Sequence, residues 1–253
     1  MRLLFVSILL ISKVAMGFTL GSTNSSQGGW TQRLLVINYN LANCPATISV
    51  TTALSEAVKI WNSVATSNLT LAVGGPSSDT PATLSGATAT DTPTLVCDTS
   101  FSADSGLDGN FAAGVGRFGT IGNTITYGYI LLNVEAGKND NISNFSQTIL
   151  NIVVAHEIGH VIGLGHSSDQ SALMYYNSTG KTTLALAQDD IDGITYLYPR
   201  NEPFSDKTFG CGVLTSSLAQ NSDNSEGPPP AVLALLFLPL FLVLSLKYRD
   251  RFS

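Results

Sequence analysis

Apolar and polar positions along the first two hundred residues predict a mixture of strands and helices. Residues 34–39 (LLVINY) are mostly apolar and β-branched, which predicts a buried strand. Apolar residues recur every three or four positions over 51–65, which predicts a helix with a threonine capping its start. Residues 126–133 (TYGYILLN) predict another strand, and residues 144–164 predict one long apolar helix.

The remaining residues of this region predict loops and one more helix. Residues 74–125 are rich in Gly, Ser, Thr, Asp and Pro, so loops with short strands are expected there. A last short helix is predicted over 188–198, where three aspartates suit the positive N-terminal end of the helix dipole. Strands with a helix, then a long helix, a loop and a final helix indicate the α+β fold class.

The N-terminus has the pattern of a signal peptide. Residues 1–17 contain a basic residue, a short apolar run and then small residues at Ala15 and Gly17. This order predicts cleavage after Gly17 and export across a membrane. An uncleaved anchor helix is the alternative, but the apolar run is short for a membrane span. The folded domain is then expected over 18–203.

The C-terminus predicts a membrane segment. A polar and proline-containing linker (204–230) leads into an uncharged apolar run (231–246) and a basic tail (247–253). As a helix, the apolar run reaches about 24 Å, slightly less than a bilayer core. The basic tail favours the cytoplasmic side, which leaves the domain extracellular, periplasmic or on the cell surface. A retained anchor and a processed sorting signal of the Gram-negative type both fit this pattern.

Charge and cysteine content narrow the class of protein. Of 253 residues 12% are charged, and the formal net charge of -6 argues against nucleic acid as a partner. Two readings of the three cysteines stay open. In the first, Cys44 pairs with Cys97 in an oxidising compartment, and Cys211 is free or bonded elsewhere. In the second, all three are unpaired thiols. Their spacing lacks the close pairs of a cysteine-based zinc site.

One motif carries candidate chemistry: HEIGHVIGLGH, which begins at His156. His156 and His160 are four residues apart, so a helix places both on one face. Gly163 can end or bend the helix, which allows the chain to turn back and offer His166 as a third ligand. Three neutral imidazoles leave one position of a tetrahedral zinc ion open, as catalytic sites do. Glu157 stands beside them as a candidate general base.

The protein contains three histidines, and all three lie in this motif, which argues against an incidental helix. The motif resembles that of the metzincin zinc metallopeptidases. Ser167, directly after the third histidine, makes it most similar to the matrixin (matrix metalloproteinase-like) branch. The segment 172–175 (ALMY) resembles the Met-turn, which implies that Met174 lies under the zinc. The resemblance is strong over 150–198 and loose over 30–149.

The resemblance implies a fold and an activity. The fold is a zincin fold, in which a twisted mixed sheet packs with two long helices before the Met-turn and the C-terminal helix. The activity is that of a zinc-dependent endopeptidase acting on proteins or peptides. The strand that ends at Asn133 is then the edge strand that aligns an extended substrate. Trp61 in the first helix also fits the family pattern.

The sequence departs from the matrixin pattern in several ways. A cysteine-bearing propeptide motif is missing before the domain, and no histidine remains for a second zinc, so a single zinc is expected. The resemblance allows structural calcium at loop carboxylates such as Asp104 and Asp108, which are otherwise plain turn residues. Tyr176 stands where matrixins usually carry proline. It is either a fifth ligand or transition-state donor, or a wall of the specificity pocket.

Two other functions compete with an endopeptidase. An inactive, membrane-tethered binding or adhesion module on the same fold would be expected to have lost Glu157 or a histidine, and neither is lost. A zinc hydrolase acting on something other than protein would share the three histidines. The resemblance of the Met-turn and the C-terminal helix favours peptide hydrolysis. The sequence predicts neither the oligomeric state nor the substrate.

Overall fold

A computed structural model describes residues 17–22, 27–85, 92–178 and 180–200. The strands are β1 (Leu34–Asn40), β2 (Thr70–Pro76), β3 (Thr94–Asp98), β4 (Gly114–Ile121) and β5 (Thr124–Asn133). The helices are α1 (Val50–Asn62), α2 (Pro81–Ser85), α3 (Phe101–Ser105), α4 (Gln147–Val161) and α5 (Gln188–Leu197), with a 3-10 turn at Ile142–Asn144. The predicted α+β class is confirmed.

The five strands form one mixed sheet in the order β2-β1-β3-β5-β4. The first four strands of that order are parallel, and β4 runs antiparallel to β5. The strand ending at Asn133 is therefore paired on both sides, and its expected place at the sheet edge is wrong. The edge strand beside β5 is β4. Its sequence GVGRFGTI lies in the glycine-rich region for which loops with short strands were expected.

Helices α1 and α4 pack against each other and supply much of the core beside the sheet. Helix α1 is amphipathic and buries one face, which includes Leu54 and Trp61. Helix α4 is apolar almost all round, and the sheet, α1 and the buried Met174 cover most of it. The predicted threonine cap of α1 is wrong: the Ser49 hydroxyl accepts the backbone N–H of Thr52 at 3.1 Å. Ser146 caps α4 in the same way.

A disulfide joins the loop after β1 to strand β3. Cys44 and Cys97 are bonded, with their Cα atoms 5.2 Å apart, and Cys97 is buried in the core. The bond closes a loop of 53 residues around α1 and β2. Of the two readings of the cysteines, the structure therefore supports the pair. Cys211 lies outside the described residues.

The predicted targeting segments fall largely outside the described residues. This applies to the signal peptide before Gly17, to the linker over 204–230, to the apolar run over 231–246 and to the basic tail. Among the helices that the structure describes, none has the length and apolar character needed to cross a membrane. The anchor and the signal peptide stay predictions from the sequence.

Removing the disulfide tests its contribution to stability. The double substitution Cys44→Ser with Cys97→Ser is expected to lower the free energy of unfolding by about 3–4 kcal/mol, because the unfolded chain regains the freedom of a long loop. Urea unfolding measures this difference. A reducing agent should destabilise the wild-type protein and leave the double variant unchanged. Equal stability of the two proteins would contradict the prediction.

Candidate metal centre

Helix α4 and the turn after it bring the three histidines together. His156 and His160 lie one turn apart on α4, which ends before Gly163, a residue with φ of +107°. The chain then reverses, so that the Nε2 atoms of His160 and His166 are 3.2 Å apart. One ligand nitrogen from each of the three rings lies within 4.8 Å of the others. In the part of the chain that the structure describes, this is the one cluster of at least three metal-binding side chains.

The contacts of the two helical histidines select their tautomer. Nδ1 of His156 lies 2.8 Å from the Leu173 carbonyl oxygen, and Nδ1 of His160 lies 2.9 Å from that of Leu164. A carbonyl oxygen only accepts, so each Nδ1 carries the hydrogen and each Nε2 keeps a free lone pair. Burial lowers the pKa of each ring to about 4, so both are neutral near pH 7. Neutral imidazole is the form that binds metal ions.

This geometry fits a zinc ion. Zinc–nitrogen bonds of about 2.0–2.1 Å in a tetrahedral site separate two ligand nitrogens by roughly 3.3 Å. The 3.2 Å between the His160 and His166 nitrogens agrees with that spacing. Carbonyl oxygens that orient the other ring nitrogens, as at His156 and His160, are the usual outer contacts of such ligands.

Glu157 lies beside the histidines and is held by the edge strand. Its Oε2 accepts the backbone N–H of Gly116 in β4 at 2.6 Å. Burial raises the pKa of this carboxyl group, while the nearby His160 ring and the Gly116 N–H act in the opposite direction. A Cβ atom on Gly116 would lie 2.1 Å from the Glu157 carbonyl oxygen. Glycine at 116 is therefore what lets β4 approach α4 so closely.

Met174 lies directly against the turn of α4 that separates the two helical histidines. Its side chain is buried, and a Cβ atom on Gly159 would come within 2.2 Å of the Met174 sulfur. Trp61 packs on the same spot and donates its indole N–H to the Ala155 carbonyl at 2.8 Å. Because Gly159, between His156 and His160, has no side chain, Met174 can pack directly against this turn of the helix.

The histidines open into a cleft of about 830 Å³. Its lining includes Glu157, the start of β4, and the exposed rings of Phe111 and Tyr176. Tyr176 is 66% exposed, and its ring centre lies 4.5 Å from that of Tyr175. A hydrogen bond between these two tyrosine side chains raises the pKa of Tyr175. Tyr176 thus lines the cleft and contacts Tyr175, and its role at the zinc or in the specificity pocket stays a prediction.

The two loop aspartates considered for calcium differ in their contacts. Asp108 stabilises its own turn, because its Oδ1 accepts both the backbone and side-chain N–H groups of Asn110 at 2.9 Å. It also lies 3.9 Å from the Lys138 amine. Asp104 lies in the short helix α3. The turn role is therefore observed for Asp108, and calcium binding stays a prediction.

Comparison with known proteins shows which family this region resembles. Residues 96–199, from β3 through α5, match the sequence model of the matrixin family. This region is a matrixin-like metzincin domain. The chain is 42% identical to Metalloendoproteinase 2-MMP of Arabidopsis thaliana over 77 residues (30% of this chain, 20% of that protein). It is 50% identical to Interstitial collagenase of Bos taurus over 62 residues (24% and 13%). Metalloendoproteinase 1 of Glycine max is 57% identical over 53 residues (21% and 17%). The matched stretches thus span a fifth or less of these relatives.

In this matrixin-like domain Asp190 fixes the Met-turn, a role that the sequence analysis missed. Its carboxylate accepts the N–H groups of Leu173, Met174 and Ala187 at 2.7 to 2.9 Å. Burial raises the pKa of this carboxyl group despite the three donors. An aspartate three residues after a helix cap is a capping signal. That signal could have predicted the Ala187 contact, but not the two from the Met-turn.

Ser167, the residue used to select the matrixin branch, also has a structural role. Its hydroxyl donates to the buried Asp189 carboxylate at the start of α5 and accepts the N–H of Asp169 at 2.9 Å. Its backbone N–H donates to the Met174 carbonyl at 2.8 Å. Ser167 therefore links the loop that carries His166 to both the Met-turn and the last helix.

The substitution Asp190→Ala tests how the Met-turn is held. It leaves three backbone N–H groups without their acceptor, so the free energy of unfolding should fall by about 3 kcal/mol. Urea unfolding gives the value. The matched control is Asp192→Ala, which removes an exposed aspartate of the same helix and should change stability by less than about 0.5 kcal/mol. Equal effects of the two substitutions would show that Asp190 does not anchor the turn.

Proposed function

We propose that this protein is a zinc-dependent endopeptidase that hydrolyses peptide bonds in proteins or peptides. Zinc is held by His156, His160 and His166, and Glu157 is the general base. The observation that carries the proposal is the convergence of three imidazole rings beside a buried carboxylate, in a cleft bounded by a free strand edge. The matrixin relatives, whose names include metalloendoproteinase and collagenase, support the reaction class.

Glu157 is arranged to move a proton. A zinc ion on the three histidines would act as a Lewis acid and make water a nucleophile near neutral pH. One oxygen of Glu157 is occupied by the Gly116 N–H, which leaves the other to take the proton of the attacking water. Burial, which raises the pKa of Glu157, favours retention of that proton until it passes to the leaving amine.

Strand β4 supplies a backbone edge for the substrate. The backbone N–H and carbonyl groups of β4 that face β5 pair with that strand. The pairing begins just before β4, where the Ala113 carbonyl accepts the Asn133 N–H. Alternate residues of an antiparallel strand direct their backbone groups opposite ways, so those of Gly114, Gly116 and Phe118 point away from β5. Of these groups the Gly116 N–H is already bound to Glu157. An extended peptide can bind there as an added strand, which directs its backbone past the histidines.

The proposed location is outside the cytoplasm. The predicted signal peptide over 1–17 and the apolar run over 231–246 indicate export and attachment at the membrane. The disulfide between Cys44 and Cys97 supports an oxidising compartment independently of those segments.

Zinc content and proteolysis test the proposal together. The full-length protein should contain one zinc ion per chain and cleave casein until a chelator is added. Glu157→Ala should keep its zinc and lose at least about 100-fold in kcat, because it lacks the general base. Glu56→Ala, which removes a glutamate of α1 far from the motif in sequence, should behave as the wild type. A zinc-loaded wild type that cleaves neither casein nor a diverse peptide library would contradict the endopeptidase.

Replacing Tyr176 tests whether its hydroxyl takes part in catalysis. Tyr176→Phe is expected to leave kcat unchanged, because the exposed ring packs at a tilt against Tyr175 and would serve as a cleft wall. Steady-state kinetics on a peptide substrate measures the effect. A fall in kcat of about 100-fold with unchanged KM would instead assign a transition-state contact to the hydroxyl.

A further inference from the structure

A segment at residues 18–22, which we name the N-terminal strap, lies along the loop that carries the third histidine. The backbone N–H of Gly21 donates to the Gly163 carbonyl at 2.9 Å. In the other direction, the N–H of Gly165 donates to the Thr19 carbonyl at 2.9 Å. The strap therefore pairs with the ligand loop as a short antiparallel strand would.

The strap also contacts the third ligand residue itself. The Thr19 hydroxyl donates to the His166 carbonyl oxygen at 2.6 Å. The approach is close, because a Cβ atom on Gly165 would lie 2.5 Å from both the Thr19 hydroxyl and the Leu20 carbonyl oxygen. Gly165 does not have a left-handed backbone conformation, so its φ angle does not require glycine. The close contact with the strap does.

Both ends of the strap are fixed to the domain. Gln27 is buried, and its side chain accepts the Ser22 N–H at 2.7 Å while it donates to the Gly163 carbonyl at 2.8 Å. At the other end, the Phe18 ring lies 5.3 Å from the Tyr196 ring of α5. The strap is therefore held in place independently of its contact with His166.

His166 needs such support more than the other two histidines do. His156 and His160 lie on α4, and a backbone carbonyl orients each of their rings at Nδ1. Within the part of the chain that the structure describes, no backbone carbonyl orients the His166 ring, whose Nε2 lies 3.2 Å from the His160 Nε2. The direction of the His166 ring therefore depends on how firmly its backbone is held.

We infer that the strap is a positioning element for the third metal ligand, with Thr19 as the positioning residue. This inference rests on the proposed zinc role of His156, His160 and His166. Outer contacts that orient a ligand commonly contribute about 10- to 100-fold to metal affinity. Cleavage after Gly17, as the sequence predicts, leaves the strap in the mature chain.

Zinc affinity of the full-length protein tests the strap. The dissociation constant for Zn²⁺ is measured by competition with a chromophoric chelator, and the melting temperature of the zinc-free protein is measured separately. Thr19→Val removes the hydroxyl, and Gly165→Ala pushes the strap away. Each should raise the dissociation constant about tenfold. Thr19→Ser keeps the hydroxyl and should restore the wild-type value. Gly75→Ala, at a glycine with open space around it, is the matched control and should have no effect.

The outcomes separate the strap from the proposed function. Wild-type zinc affinity in both Thr19→Val and Gly165→Ala would overturn the positioning role. A lower melting temperature of the zinc-free variants without any loss of zinc affinity would also overturn it, because the contact would then be structural only. A wild-type protein that binds no zinc would overturn the proposed function, and the strap's role with it.

Discussion

The site depends on how helix α4 ends. The last carbonyl groups of a helix have no partner within it. In α4 the carbonyls of Ile158, Gly159 and His160 accept N–H groups of the turn that follows, and the Val161 carbonyl accepts the Trp30 indole N–H. The turn residues then have buried carbonyls of their own: Ile162 accepts from the Tyr198 hydroxyl, Gly163 from Gln27 and Gly21, and Leu164 from the His160 ring. The turn that delivers His166 is therefore held by residues near both ends of the domain.

Two close approaches at glycine complete the arrangement around α4. Met174 packs against Gly159 on one side of the helix, and β4 reaches Glu157 through Gly116 on another. Met174 and strand β4, the proposed substrate-binding edge, are therefore both packed against the same helix. Asp190 then links the Met-turn to α5, which itself supplies the Tyr198 hydroxyl at its end. A change in any of these contacts is expected to move a histidine, Glu157 or β4 relative to the others.

The features that could be predicted from the sequence are those fixed by residues close together along the chain. The long apolar helix, the shared face of His156 and His160 and the reversal after Gly163 follow from helix periodicity and from glycine conformation. The edge position of β4 could not be predicted, because its glycines have weak strand propensity and are there for close packing. The two contacts of Asp190 with the Met-turn and the pairing of Cys44 with Cys97 are long-range, so spacing alone did not determine them. The matrixin match begins at residue 96, which agrees with a resemblance strongest in the second half of the domain.

The proposed function requires a zinc ion held by three histidines and one exchangeable ligand. X-ray absorption at the zinc edge of the purified full-length protein tests this coordination, since it reports the number and type of ligand atoms. We expect three imidazole nitrogens at about 2.0–2.1 Å and one light-atom ligand from solvent. A zinc site with sulfur ligands, or one closed by four side chains of the protein, would contradict it.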